Sequence, residues 1–189
     1  MAIIKHKEQR VAVLIDVSNM YHSAKNLYGA RVNFKEVIKT AVGPRKLIRA
    51  VAYVVSTETK EEKTFFDALS KLGLEVRMKD LQIFPGGMKK GDWDVGISID
   101  AIKFSNLTDA IILVTGDGDF VPLVDYLKLN KGCQTEVIAF SKSASAKLRE
   151  VADDFIDLSE DVDRYLLKAG GKTIRRTSTT RTTSRRSVK

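Results

Sequence analysis

The chain contains a single cysteine, Cys133, in 189 residues. No internal disulfide can form, which excludes the disulfide-stapled architectures of small secreted domains and fits a reducing compartment, most simply the cytoplasm. No apolar run comes near the ~18 residues that a membrane span needs. Residues 1–10 carry Lys5, His6, Lys7 and Arg10 but lack the apolar stretch that a secretory leader requires. Acid is missing from one segment altogether. Residues 168–189 hold eight of the 32 lysines and arginines and none of the 24 aspartates and glutamates. The remaining 24 bases face 24 acids, so the net charge of +8 belongs to that segment and the body is neutral. No internal repeat is present.

What is there is the length for one domain with a sizeable core and an alternation of strand-like and helix-like segments. Val11 to Ile15 (VAVLI) and Ala110 to Val114 (AIILV) are unbroken apolar runs of strand length. Such runs predict strands buried on both faces, as in a parallel sheet. Further strands are predicted at 47–55, 74–78, 135–140 and 155–158. The predicted helices are 18–28 (capped by Ser18 and stopped by Gly29), 34–41 (capped by Asn33), 58–72 (opened by Thr57), 93–104, 120–129, 144–152 and 161–169. Residues 81–91 read as a loop around Pro85-Gly86-Gly87. The helix at 93–104 is apolar over so wide a surface that mostly buried packing is expected. Parallel strands need crossover helices, so the pattern predicts an α/β sandwich.

After residue 169 the pattern stops. Residues 170–189 are rich in Thr, Ser and Arg, with Ile174 and Val188 as the large aliphatic residues. Such a segment cannot bury enough apolar surface to offset its ordering entropy. The expected organisation is a folded domain over 1–169 and a basic, disordered tail over 170–189. Arg175, Arg176, Arg181, Arg185 and Arg186 are its candidate nucleic-acid contacts. The bland alternative is a solubilising or cloning-derived tail.

The chemistry sits at strand ends. Asp16 follows VAVLI; Asp117 and Asp119 follow AIILV and Thr115-Gly116. Ligands of open parallel sheets bind beyond the carboxyl ends of the strands. If these strands are neighbours, the three carboxylates converge. Asp92 and Asp94 arrive from the loop that enters the 93–104 helix, and Asp100 lies further along it. Clustered carboxylates repel one another unless a cation holds them ionised. With no Cys or His beside them, oxygen ligands alone suit Mg²⁺ or Mn²⁺ better than Zn²⁺. Gly116 and Gly118 allow a tight turn and close approach to a ligand.

Each of these residues also has an ordinary reading. A lone Asp after a strand is usually a turn or cap residue, and Asp92 could simply cap a helix. Asp100 could be a supporting acid or the partner of a nearby lysine. Asn19 could reach metal, water or phosphate, or cap the first helix. Thr115 could orient a carboxylate, yet Thr is also a good strand residue. Lys89 and Lys90, in a Gly-rich loop, could hold phosphates or lie solvated. Trp93 reads as packing. His6 and His22 show no partner pattern for general-base work, and Cys133 reads as structural.

These residues in this order resemble the NYN domain of the PIN-like nucleases, and in particular its bacterial LabA-like branch. The matching stretches are VAVLIDVSNMY, KKGDWDVGISIDAI, DAIILVTGDGDFVPLVDYLK and TEVIAFSKSASAKLREVADDFIDL, over about residues 10–158. The resemblance implies a three-layer α/β/α fold with a central, mainly parallel sheet of five or six strands. It implies a carboxylate site holding Mg²⁺ or Mn²⁺ for cleavage of RNA, single-stranded by expectation. Asp16, Asp94, Asp117 and Asp119 match the family's acidic positions, and Asn19 the polar partner of the first.

The expected activity is therefore that of a metal-dependent endoribonuclease, with no membrane role; a homodimer stays open. Two alternatives remain. One is a non-catalytic RNA-binding or regulatory module that keeps the acidic pocket. The other is a haloacid-dehalogenase-like phosphatase, against which Ser18 and Val121 stand where that chemistry needs aspartates.

Overall fold

VAVLI forms the core of strand β1 (Arg10–Asp16), in which every residue after Arg10 is buried. Val11, Val13 and Ile15 face one apolar core, while Ala12 and Leu14 face a second on the opposite side. A strand that meets helices on both faces cannot afford polar alternation, which is why the run is continuous. The computed structural model describes residues 3, 5–57, 59–83 and 89–167.

From β1 the chain enters α1 (Val17–Tyr28), β2 (Arg31–Val32) and α2 (Phe34–Val42). β3 (Lys46–Ser56), α3 (Lys60–Lys71) and β4 (Glu75–Asp80) follow. A small hairpin, β5 (Gln82–Ile83) with β6 (Lys89–Lys90), precedes α4 (Asp94–Phe104). β7 (Ala110–Val114) leads through a 3-10 turn at Gly118–Phe120 into α5 (Val121–Lys131). Then come β8 (Gln134–Ala139), α6 (Ala146–Val151) and β9 (Asp154–Asp157). A second 3-10 turn at Leu158–Asp161, α7 (Val162–Tyr165) and β10 (Leu166–Leu167) end the described chain.

The central sheet has six strands in the order β4-β3-β1-β7-β8-β9, and every pairing is parallel. Helices α1, α2 and α3 pack on one face; α4, α5 and α6 pack on the other. The strand order reverses between β1 and β7, where Ile15 pairs with Val114. That register sets Asp16 abreast of Thr115 at the carboxyl edge of the sheet, the switch point at which such sheets bind ligands. The expected three-layer α/β/α fold is the one observed.

Several local expectations differ from the structure. Asp16, not Ser18, caps α1, its side chain accepting from the Asn19 amide. Asn33 precedes α2 without a capping side-chain bond. Thr59, not Thr57, caps α3 through the Glu62 amide, and Leu72 at its end is exposed. The expected loop at 81–91 contains the β5–β6 hairpin. The expected final helix is four residues long, because Leu166 and Leu167 leave it to pair antiparallel with β2.

The helix at 94–104 departs most from expectation. Its buried residues are Ile97, Asp100, Ala101 and Phe104, while Val95 is 70% and Ile99 47% exposed. The apolar surface of this helix is wider than the face that meets the sheet.

A buried ionic network lies far from the carboxyl edge. Glu136 on β8 is fully buried and pairs with Arg45, which is 5% exposed. The second guanidinium nitrogen bonds Glu136 Oε2 at 3.1 Å and the Ala41 carbonyl at 2.6 Å. Lys5 adds a contact to Glu136 at 3.1 Å, and the Gln134 amide donates to it at 2.7 Å. A buried polar group persists in a core when it is paired and hydrogen-bonded, as this carboxyl is.

Candidate functional site

Three elements deliver the acids. β1 ends at Asp16. The loop after β7 carries Asp117 and Asp119, and Asp94 opens α4. Carboxylate oxygens of Asp94, Asp117 and Asp119 all lie within 4.8 Å of one another. Asp16, Asp94 and Asp117 line one open pocket of about 190 Å³, together with Ser18, Asn19, His22 and Asp92. Asp94 and Asp117 belong to both groupings and form the centre. Asp16, 9% exposed, is the inner wall, and Asp119 is the exposed outer rim.

The loop is held from both sides. The Gly116 amide donates to Asn19 Oδ1 at 2.9 Å. The Gly116 carbonyl accepts from the Ser145 amide at 2.9 Å. The Asp117 amide donates to Thr115 Oγ1 at 3.2 Å, and Asp117 Oδ1 accepts from the Asp119 amide at 3.0 Å. The glycines serve close packing rather than a left-handed turn, since neither is among the positive-φ positions. A Cβ on Gly116 would stand 3.0 Å from the Ala144 backbone, and one on Gly118 would stand 2.9 Å from the Ser145 hydroxyl. Asn19 and Thr115 thus act as clamps on the loop and its acids.

The electrostatics follow from crowding. Burial raises the Asp16 carboxyl from 3.8 to about 6, against the pull of the Asn19 amide, and the charges of Asp94 and Asp117 push the same way. Asp94 is raised by burial first and then by Asp117, Asp92 and Asp119. None of the four acids forms an ion pair among the described residues. Unneutralised, converging carboxylates are what a divalent cation compensates. Opposite ligands of one octahedral Mg²⁺ stand about 4.2 Å apart, twice the Mg²⁺–oxygen distance. The 4.8 Å limit for the triad is within a small side-chain adjustment of that shell. The oxygen-only donor set fits Mg²⁺ or Mn²⁺.

Asp100 does not join the cluster. Buried at 4% exposure, it takes the Tyr53 hydroxyl at 2.7 Å and the Arg77 guanidinium. Its carboxylate raises the Tyr53 phenol further, beyond the effect of burial. The partner is an arginine from β4 rather than a lysine, and Asp100 is absent from the pocket lining. Trp93 packs as expected: its indole donates to the Val54 carbonyl at 2.8 Å and its ring lies 5.3 Å from Tyr53. Cys133 is buried, and burial pushes its thiol up to about 11. The side chains of Lys89 and Lys90, and all of Arg175, Arg176, Arg181, Arg185 and Arg186, lie outside the described residues.

Three residues at or beside the pocket were not among the site residues expected from the sequence. Ser18 and His22 stand four apart on α1, one turn of a single face, and both line the pocket. That spacing was available as a signal. Lys79 on β4 places its ammonium 3.2 Å from the Asp92 carbonyl and 5.9 Å from the Trp93 ring. Only the β3–β4 register, Val55 against Lys79, brings it there.

Known proteins are similar to this chain in sequence and in fold. The low amplitude and bright protein LabA of Synechococcus elongatus is 28% identical over 162 residues, covering 82% of this chain and 86% of its own. The crystal structure of a protein of unknown function from Vibrio parahaemolyticus superposes with a TM-score of 0.79 at 30% identity, covering 87% of this chain and all of that one. The sequence profile of the NYN domain matches residues 10–160, from the start of β1 through β9 and into the turn beyond it. The chain therefore belongs to the NYN domain family.

Proposed function

We propose that this protein is a metal-dependent ribonuclease that hydrolyses phosphodiester bonds of single-stranded RNA at the carboxyl edge of its sheet. One observation carries the reading: three carboxylates from two separate segments, the start of α4 and the loop after β7, converge within 4.8 Å of one another, and none of them forms an ion pair among the described residues. Asp94, Asp117 and Asp119 would hold Mg²⁺ or Mn²⁺, with Asp16 facing the same pocket. Bound there, such an ion supplies a water of lowered pKa and neutralises charge that develops on the phosphate.

The chain's own residues do the rest. Asp16, at the inner wall of the same pocket, is placed to take up a proton from an attacking water. Asn19 and Thr115 hold the loop that carries Asp117, so the ligands are fixed before substrate arrives. Lys79, beside Asp92 and Trp93, presents a cation at the mouth. The tail over 170–189 would raise the local RNA concentration electrostatically. Membership of the NYN family supports RNA as the substrate class.

A second reading has its own support. Asp16 caps α1 and Asp117 caps the 3-10 turn, so both have structural tasks that a non-catalytic RNA-binding module would also need. Capping does not account for Asp94, which accepts no capping bond. The test is cleavage of unstructured RNA with Mn²⁺. Asp117→Asn keeps the cap and should slow cleavage at least about a hundredfold, more than the loss of a residue behind a ligand costs. Unchanged cleavage in Asp117→Asn, or in EDTA, would refute the mechanism. RNA binding without turnover in any divalent metal would favour the second reading.

A further inference from the structure

Beside the acidic pocket lies a larger cleft of about 540 Å³, between α1 and α3 over the ends of β1 and β3. Ser18, His22 and Gly91 line both cavities, so the two are neighbours. Val17 and Val54 contribute to the floor, and the rings of Tyr21, Phe34, Phe65 and Phe66 stand around it. Interiors close-pack wherever they can, yet no described side chain fills this space. Its volume is that of a small-ligand site.

Its polar lining is Ser18, His22, Arg31, Thr57, Glu61 and Glu62. The Glu62 carboxylate is already committed, taking the Thr57 hydroxyl at 2.6 Å and the Thr57 amide at 2.8 Å. Arg31 lines the cleft, and the Lys25 ammonium lies 5.5 Å from the Tyr21 ring.

We propose that this cleft seats one nucleobase of a single-stranded nucleic acid whose neighbouring phosphate lies among the acids. The proposal rests on the nuclease reading and names where that substrate is gripped. A pocket of carboxylates cannot hold a polyanion by itself, so affinity must come from beside it. A base offers a flat, apolar face of the kind aromatic rings take up, and stacking is tolerant of sequence. The shared lining of Ser18, His22 and Gly91 sets the cleft next to the acids, as a base and its neighbouring phosphate require. Arg31 and Lys25 meet the phosphates on the outer side. His22, its ring edge-on to Tyr21 at 5.4 Å, stands where sugar joins base.

The test is an abasic scan. RNA pentamers carrying one abasic nucleotide at each position in turn are assayed for cleavage in Mn²⁺ and for binding in Ca²⁺ by fluorescence anisotropy. One position should lose about tenfold or more in affinity, the scale of one stacked base. Tyr21→Ala, which trims a ring that is 42% exposed, should weaken the intact pentamer by a similar factor. It should cost little on the pentamer already abasic at that position.

A flat scan overturns the proposal, as does a Tyr21→Ala loss that multiplies with the abasic loss. A partner's aliphatic side chain or a lipid chain in the cleft would give that flat result. If the scan is flat but RNA is still cut, the nuclease reading survives alone. If one position governs binding and nothing is cut, the base seat survives alone. If RNA is neither bound nor cut, both fall.

Discussion

Replacing Asp16 by Asn should make the metal-free protein more stable at neutral pH while abolishing its activity. The Asn19 amide needs only an acceptor oxygen, which Asn supplies, so the α1 cap is kept. What disappears is a buried charge facing Asp94 and Asp117. The carboxyl moves from 3.8 to about 6 on folding, which at 1.36 kcal/mol per pH unit corresponds to about 3 kcal/mol. The folded state holds the proton more tightly than the unfolded state, so this contribution is present below pH 3.8 and lost as pH rises through about 6. The Asn variant has no such loss. Wild type and variant should therefore melt together near pH 4 and separate as pH rises. The gap at pH 7.5 should reach roughly 6–12 °C, at 2–4 °C per kcal/mol for a domain of this size. Thermal melts of both proteins in EDTA across pH 4–8 measure this gap. Saturating Mn²⁺ should narrow it, because the cation stabilises the ionised wild-type site. A variant that melts at or below wild type at pH 7.5, or a gap independent of pH, would refute the account of the site as a repulsive acid cluster.

Arg45→Met removes the main partner of the buried Glu136 carboxyl, leaving Lys5 and Gln134 beside it, and should cost about 3–5 kcal/mol in urea unfolding. The cleavage rate of the folded fraction should not change, because the network is far from the carboxyl edge. Asp100→Asn should also destabilise the fold, since Arg77 and Tyr53 lose a charged acceptor. Its cleavage rate at saturating Mn²⁺ should stay within a few-fold of wild type, whereas a metal-ligand role would make it collapse. Cys133, with its thiol pushed up to about 11 by burial, should resist a thiol reagent at pH 8 until the protein is unfolded in guanidinium; prompt labelling of the native protein would contradict that burial.

Particular residues show how far local sequence reaches. VAVLI and AIILV declare double-faced burial because neither run alternates, and both strands lie at the centre of the sheet. The acids at their ends are legible for the same reason: a polar residue that breaks such a run marks the strand's exit. Asp100 could not be placed in the same way. It sits on a helix with apolar residues nearly all round, and periodicity says which residues share a face but not which face meets the sheet. Val95 and Ile99 belong to that wide apolar surface and lie outside. Arg45 and Glu136 are 91 residues apart, and nothing near either one announces the other.

By itself, the sequence determined the order of the six sheet strands and of the helices between them, the parallel sheet and the positions at which carboxylates leave it. These follow from local apolar patterning, which short-range geometry translates directly into burial. The tertiary structure decided which strands are neighbours, and so which acids meet. It also brought Lys79 alongside Asp92 through the β3–β4 register, took Asp100 away to Arg77, and opened the aromatic cleft beside the acidic pocket. Those outcomes depend on contacts between residues distant in the chain, whose energies arise only once the sheet has set its strand order.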